Sequence, residues 1–265
     1  MVTIKSVGLE LIHNEGQHFE KLMVSAIGKT MRKIAASLND TAALITVDDL
    51  AMITSLWTGQ VDSNLLDKIG KAFIDSAYTT RNDLQSHLNQ IKNKGTTAAA
   101  VKATNSAYQI PKISNHHAQN LMETARNRMV NVGNDVWEVA RNSLVDGLKA
   151  GEGVDKLRDR IVASTNIAAP RAGVVARTEI SHAMNQGTLQ QMKAINVPTM
   201  MKEWIATNDD RTRPEHAEVN GEKIGISDAF SIGEEPGDAV NCRCTLGFDI
   251  PDDDFDNAFP ADDSK

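Results

Sequence analysis

Residues 173–195 read GVVARTEISHAMNQGTLQQMKAI, and the fold is decided by how this stretch is placed. At helical spacing Arg177 shares a face with Ile180 and Met184, while Glu179 shares one with Val175 and Ala183. Both charges therefore emerge beside apolar surface, where a buried ion needs a partner. Pro170 suits the first turn of a helix, since its missing N–H would lack a partner there anyway. The helix it opens is predicted to run to Ile195 and stop before Val197-Pro198. Arg177 and Glu179 read best as an ion-pair network that fastens this helix to the C-terminal segments of the chain. A catalytic role would require a nucleophile with an adjacent base, and the stretch supplies none.

Past Pro198 the pattern changes from helical to alternating. MKEWIAT (201–207) is predicted as a strand with Glu203 its odd member. VNGEKIGI (219–226) is predicted as a tight hairpin at Asn220-Gly221, and RCTLGFDI (243–250) as a further strand. Between them lies DDRTRPEH (209–216), a polar turn in which Asp210 can accept backbone N–H bonds and Arg211 and Arg213 can grip carboxylates. Both cysteines of the chain fall in NCRC (241–244). On a strand Cys242 and Cys244 point to one side, so with His216 they form a candidate zinc site whose fourth ligand would be Asp209, Asp210 or water. Buried cysteines beside a hydrogen-bonded histidine are the simpler account of the same residues. Two cysteines one residue apart are poorly placed to bridge each other, which fits folding in a reducing cytoplasm.

Upstream the chain reads as helix. Apolar residues recur at helical spacing from Leu9 to Leu38, predicting one long helix or two short ones. A second helix is predicted from Val47 to Trp57, closed by Thr58-Gly59, and a third from about Asp62 to Lys92. Residues 93–113 lose periodicity around Gly95 and Pro111 and read as a linker. Ser114 is a candidate N-cap for a helix ending at Gly151, and Val154–Val162 would be a short helix of its own. The predicted organisation is a helical N-terminal arm over 1–113 and a module over 114–250, with an acidic flexible tail over 251–265. The module divides into helices over 114–196 and a small β-rich part over 199–250. The fold class is α+β, predominantly helical, as the 4% aromatic content and abundance of small and straight side chains favour.

Charge separates the chain in the same direction. Residues 1–200 carry 22 Lys and Arg against 18 Asp and Glu, whereas residues 201–265 carry 6 against 17. Within 81–128, Arg81, Lys92, Lys94, Lys102, Lys112, Arg126 and Arg128 face only Asp83 and Glu123. Such a run is usually a solvated helix surface; its functional reading is an anion-binding face with Lys92, Lys94, Lys102 and Lys112 contacting DNA. The N-terminal MVTIKSVGLELIHNEG lacks a basic region followed by a long apolar run, and nowhere do 18 apolar residues stand in succession. Neither a signal peptide nor a membrane partner is expected.

Taken together, ARTEISHAMNQG (176–187), the strand with Trp204, DDRTRPEHAEVNGE (209–222), Phe230, Pro236 and NCRC (241–244) resemble the Mu F-like family of tailed-phage head morphogenesis, or minor capsid, proteins. The likeness spans about 155–248, and LVDGLKAGEGVDKLRDRI (144–161) is similar to the family's lead-in. It implies a few-copy virion protein inside the head near the portal vertex, present in the host cytoplasm during assembly. Its implied partners are the portal protein, a major capsid or scaffolding protein, and packaged DNA, with roles in procapsid assembly, DNA packaging and ejection. The positions that match are Arg177, Thr178, Glu179, Asp210, Arg211, Arg213, His216, Gly221, Cys242, Arg243 and Cys244, and the resemblance implies that they hold a compact module together. Some relatives in this family carry toxin domains, for which the stretch after 250 is too short. The rival reading is an enzyme, a metal-dependent hydrolase or nuclease using His216 with Asp209 or Asp210.

Overall fold

The computed structural model describes residues 2–5, 9–37, 55–94 and 115–251. Of the expected linker over 93–113, residues 93 and 94 are instead the end of a helix, while 95–113, with Lys102 and Lys112, the N-cap at Ser114, the start of the second helix and the tail beyond Pro251 lie outside these residues. Among the described residues the fold is predominantly helical α+β. Strand β1 (Val2–Lys5) is followed by α1 (Leu9–Ser37), α2 (Leu66–Lys94), α3 (Asn115–Lys149) and α4 (Val154–Ile195). Then come β2 (Met201–Ile205), the short helix α5 (Pro214–Glu218), β3 (Lys223–Gly225) and β4 (Thr245–Ile250).

α4 is the axis of the molecule, with α1, α2 and α3 all packed against it. Its middle carries small residues, Ala172, Ala176 and Ala183, each inaccessible to solvent. At Gly187 a Cβ would collide with the Phe73 carbonyl of α2, so the absence of a side chain lets the two helices touch backbone to side. Phe19, Met23 and Ile27 of α1, Ile69 and Phe73 of α2, Met129 and Leu144 of α3 and Ile180 of α4 close one helical core.

Two helix ends expected from sequence are absent. Residues 55–60 are helical, Val61–Leu65 wind as a π-helix, and α2 continues directly, so Thr58-Gly59 closes nothing. Trp57, Val61, Leu65 and Ile69 are all buried at intervals of four, and the wider π turn keeps such residues in line where 3.6 residues per turn would rotate them away. Ending at Gly59 would cost this packing and the hydrogen bond that Trp57 Nε1 donates to the Met129 carbonyl at 2.9 Å. Likewise Pro170 does not open a helix. It lies inside α4, which runs unbroken through Val154–Val162 and on to Ile195. The proline is exposed, and burial of Ile161 and Ser164 before it and Ala172 and Ala176 after it holds the helix together across the missing N–H.

The sheet is antiparallel throughout, in the order β1-β4-β2-β3. β1, a strand that the sequence pattern did not announce, pairs Val2 with Ile250 and Lys5 with Gly247. β4 is buried at all six positions because it has a strand on each side. Leu246, Phe248 and Ile250 of β4 join Trp204 of β2, Leu189, Met192 and Ile195 of α4, and Leu84 of α2 in a second core. The expected hairpin at Asn220-Gly221 is instead the turn that leads α5 into β3, with Gly221 at φ +84°; β3 pairs with β2, which is distant in sequence.

Restoring the missing α4 hydrogen bond with Pro170→Ala disturbs none of the buried residues around it. Urea denaturation is expected to show a gain of about 1–3 kcal/mol, and an unchanged midpoint would mean that the helix is already broken there.

Candidate functional site

The polar residues of the central stretch meet the loop that leads into β4. Arg177 Nε donates to Asn241 Oδ1 at 2.9 Å, and its Nη1 pairs with Glu20 of α1. Thr178 Oγ1 donates to the Val174 carbonyl and accepts the Asn241 backbone N–H, both at 2.8 Å. His182 Nδ1 stands 3.0 Å from Asp238 Oδ1, and Asn185 Nδ2 donates to the Cys244 carbonyl at 3.1 Å. These four side chains fall on one side of α4, at steps of one, four and three residues along the helix. Against them sits Gly237, at φ +95° and so close that a Cβ would stand 3.0 Å from both His182 Cα and the Ser181 carbonyl. No side chain fits there without moving the α4 backbone.

Glu179 points the other way. It is buried and takes a bidentate grip from Arg128 of α3 at 2.5 and 2.7 Å. The expected ion-pair network thus ties α4 backward to α1 and α3 as well as forward to the loop. Arg128 is charged more firmly for it: the hydrogen bonds to Glu179 raise its pKa against the opposing effect of burial.

Asp209 makes the turn bonds expected of Asp210. Its Oδ1 accepts the Arg211 backbone N–H at 3.1 Å and the Thr212 hydroxyl at 3.2 Å. Both of its oxygens also take Arg243 at 2.5 Å. The reason is position, since Asp209 is the first residue of the turn and its carboxylate can reach back over the two that come after it. Asp210 and Arg211 are exposed. Among the described residues Arg213 grips no carboxylate; its Nη2 donates to the Val240 carbonyl at 2.7 Å, and Pro214 after it opens α5. The hydrogen bonds from Arg243 hold the Asp209 carboxyl far below the usual carboxylate range.

On the other side of this clamp lie His216, Cys242 and Cys244, each under 5% exposed, with ligand atoms that all stand within 4.8 Å of one another. His216 Nδ1 is 3.6 Å from Cys242 Sγ and 3.5 Å from Cys244 Sγ. The ring's other nitrogen, Nε2, faces Glu234 Oε2 at 3.7 Å. Trp204 walls the cluster with its ring edge-on, 5.1 Å from His216 between centres, and Phe230 stands edge-on to Trp204 at 5.3 Å. The two sulfurs interact: the hydrogen bond from Cys244 draws the Cys242 thiol down to about 6, and the same contact together with burial pushes Cys244 up. Zinc is held by thiolates and imidazoles in tetrahedral array, and this donor set and its spacing fit such an ion.

Several participants gave no isolated signal in sequence. Lys202, not Glu203, is the inward-facing oddity of β2; it is buried, pairs with Glu235, and lies 4.9 Å over the Phe230 ring. Period-two alternation with Trp204 points to it. His182 and Asn185 could be found from their helical register with Thr178, whereas Gly237, Asp238 and Asn241 sit in a loop with no periodicity to read. Lys92 and Lys94 fall in the last turn of α2.

The clamp should be sensitive to acid. Asp209 is depressed by its hydrogen bonds from Arg243, and Asp238, despite burial that pushes it up, is held low by His182 and the Glu235 N–H. In the unfolded chain such carboxyls titrate near about 4, so their contribution is present above that pH and is lost as pH falls toward the folded values. Thermal melts are expected to hold steady down to about pH 5 and to drop below about pH 4. Arg243→Ala should lower stability at neutral pH and flatten the acid drop; an unaltered pH profile would show that the Asp209 clamp contributes nothing.

A family model described as Phage Mu protein F like protein matches residues 138–247. The minor head protein GP7 of Bacillus phage SPP1 is 31% identical over 119 residues, which are 39% of this chain and 38% of that protein. The NAD(+)--arginine ADP-ribosyltransferase EFV of Enterococcus faecalis (strain ATCC 700802 / V583) is 23% identical over 163 residues, 54% of this chain and 33% of that protein. The chain thus spans well under half the length of either relative. No solved structure matches it significantly. Residues 138–247, from the C-terminal half of α3 through the α4 edge, the Asp209 clamp and the His216–Cys242–Cys244 cluster to β4, are thus the part of this chain that is similar to the phage Mu protein F-like family.

Proposed function

We propose that this chain is a minor head protein of a tailed bacteriophage, bound inside the head at the portal vertex and acting in procapsid assembly and in DNA packaging or ejection. The family segment and the SPP1 minor head protein support the head-protein reading. The observation that carries it is how the motif is spent. Arg177, Thr178, Asp209, Arg213 and Arg243 each bind another part of this same chain, in contacts that fix the loop before β4 to α4 and to the 209–212 turn. A hydrolase built on His216 with Asp209 would need that carboxylate for a water or a metal, but both of its oxygens are held by Arg243.

The partners on this reading are the portal protein and a major capsid or scaffolding protein, which the exposed flanks of α1–α3 would meet. Arg126 and Arg128 are bound to Asp62 and Glu179, so contact with packaged DNA falls to Lys92, Lys94, Lys102 and Lys112. Phosphate contacts by these lysines would make DNA binding weaken with salt.

Purified procapsids and virions of the parent phage should contain the chain in few copies, and crosslinking should join it to the portal. Its absence from both kinds of particle would end the head-protein reading, and its presence without a portal crosslink would end the vertex assignment. Lys92→Glu, Lys94→Glu and Lys102→Glu together are expected to reduce low-salt DNA retention by the purified chain on the order of tenfold or more, for three lost phosphate contacts. Unchanged retention would remove DNA from the partners.

A further inference from the structure

We infer that His216, Cys242 and Cys244 bind one zinc ion, with the histidine supplying Nδ1, and that this ion fastens α5 to the chain entering β4. The inference rests on the cluster's own geometry, so its failure would leave the head-protein reading standing. A neutral imidazole nitrogen has one lone pair and can accept one S–H. Here two sulfurs stand at nearly equal distance from the same nitrogen, 3.5 and 3.6 Å. One hydrogen bond to the imidazole can serve only one of these sulfurs, and the other is left to its neighbouring thiol. An ion shared by all three accounts for both, because ligands about 2.0–2.3 Å from a tetrahedral zinc stand about 3.5–3.8 Å from each other.

The surroundings fit the same assignment. Nε2 faces the Glu234 carboxylate at 3.7 Å, longer than a hydrogen bond but on the side from which a carboxylate orients a metal-bound histidine, with Nδ1 left to face the sulfurs. The Trp204 indole Nε1 is buried without a hydrogen-bond partner among the described residues, and its ring stands edge-on to His216 at 5.1 Å, walling the cluster from that side. Among the described residues no fourth His, Cys, Asp or Glu joins the cluster, which leaves the remaining position to a small solvent ligand. With every donor under 5% exposed, nothing larger reaches the ion, and its role is structural. Binding releases the thiol protons to solvent and closes the segment between His216 and Cys242, in which β3 is the only strand and has three residues.

The test uses the untagged full chain, purified without added metal. One zinc per chain is expected by elemental analysis. Replacement by cobalt should give the thiolate-to-cobalt charge-transfer absorption and the intense visible bands of a tetrahedral site. A folded chain that holds no zinc, takes up none when one equivalent is added, and leaves both thiols open to titration would overturn the assignment. Because Cys242→Ser and His216→Ala remove buried groups and can prevent folding, Glu234→Gln is the second variant. It removes only the charge facing Nε2 and is expected to weaken zinc binding by about 10–100-fold with the fold retained. Unchanged affinity in that variant would overturn the assignment of His216 as the nitrogen ligand.

Discussion

The contact on which everything else depends is the seating of the 237–244 loop on α4. At Gly237 the loop comes as near to the helix backbone as a chain without a Cβ allows. From there to Cys244, Asn241 and the Cys244 carbonyl bond to Thr178, Arg177 and Asn185 in turn. This seating delivers both cysteines to His216 and launches β4 at the position where it can pair with strands on both sides. A loop displaced by one residue would lose the Asn241 contacts and turn the sulfurs away from the imidazole.

α4 accomplishes this by belonging to two cores at once. Its N-terminal and central portions are the wall against which α1, α2 and α3 pack, and its last two turns support the sheet. Two of the buried polar residues between are held by partners: Glu179 has Arg128, and Thr188 meets Thr80 at 3.3 Å and the Met184 carbonyl at 3.1 Å. A helix sealed on most of its circumference cannot rotate or slide without breaking several of these bonds together. That rigidity suits the head-protein role proposed above.

The clamp also shows how a small module is stabilised where apolar surface is short. Trp204 and Phe230 are the large aromatics at its centre, and Lys202 lies beside them with its charge met by Glu235 and its ammonium over a ring face. Arg243 and Asp209 close the opposite side. Each of these pairs fixes an angle between backbone segments that have little regular structure of their own, which hydrophobic contact, being non-directional, does less well.

The sequence by itself determined the local order. Period 3.6 gave α1, α2, α3 and the two ends of α4 as separate helices, period 2 gave β2 and β4, and the composition of 209–216 and 241–244 marked the residues of the clamp. It expected Cys242 and Cys244 on one side of a strand, but β4 begins only at Thr245, and both cysteines lie in the loop before it, turned to His216 by the seating of that loop on α4. The tertiary structure decided the rest, because the missing facts are long-range. Arg177 finds Glu20 across 157 residues and Glu179 finds Arg128 across 51, separations that no periodicity reports. β1 forms at Val2–Lys5 only because β4 offers it an edge. Pro170 and Gly59 would each break an isolated helix, and both are overruled because the apolar residues on either side are already committed to a shared core.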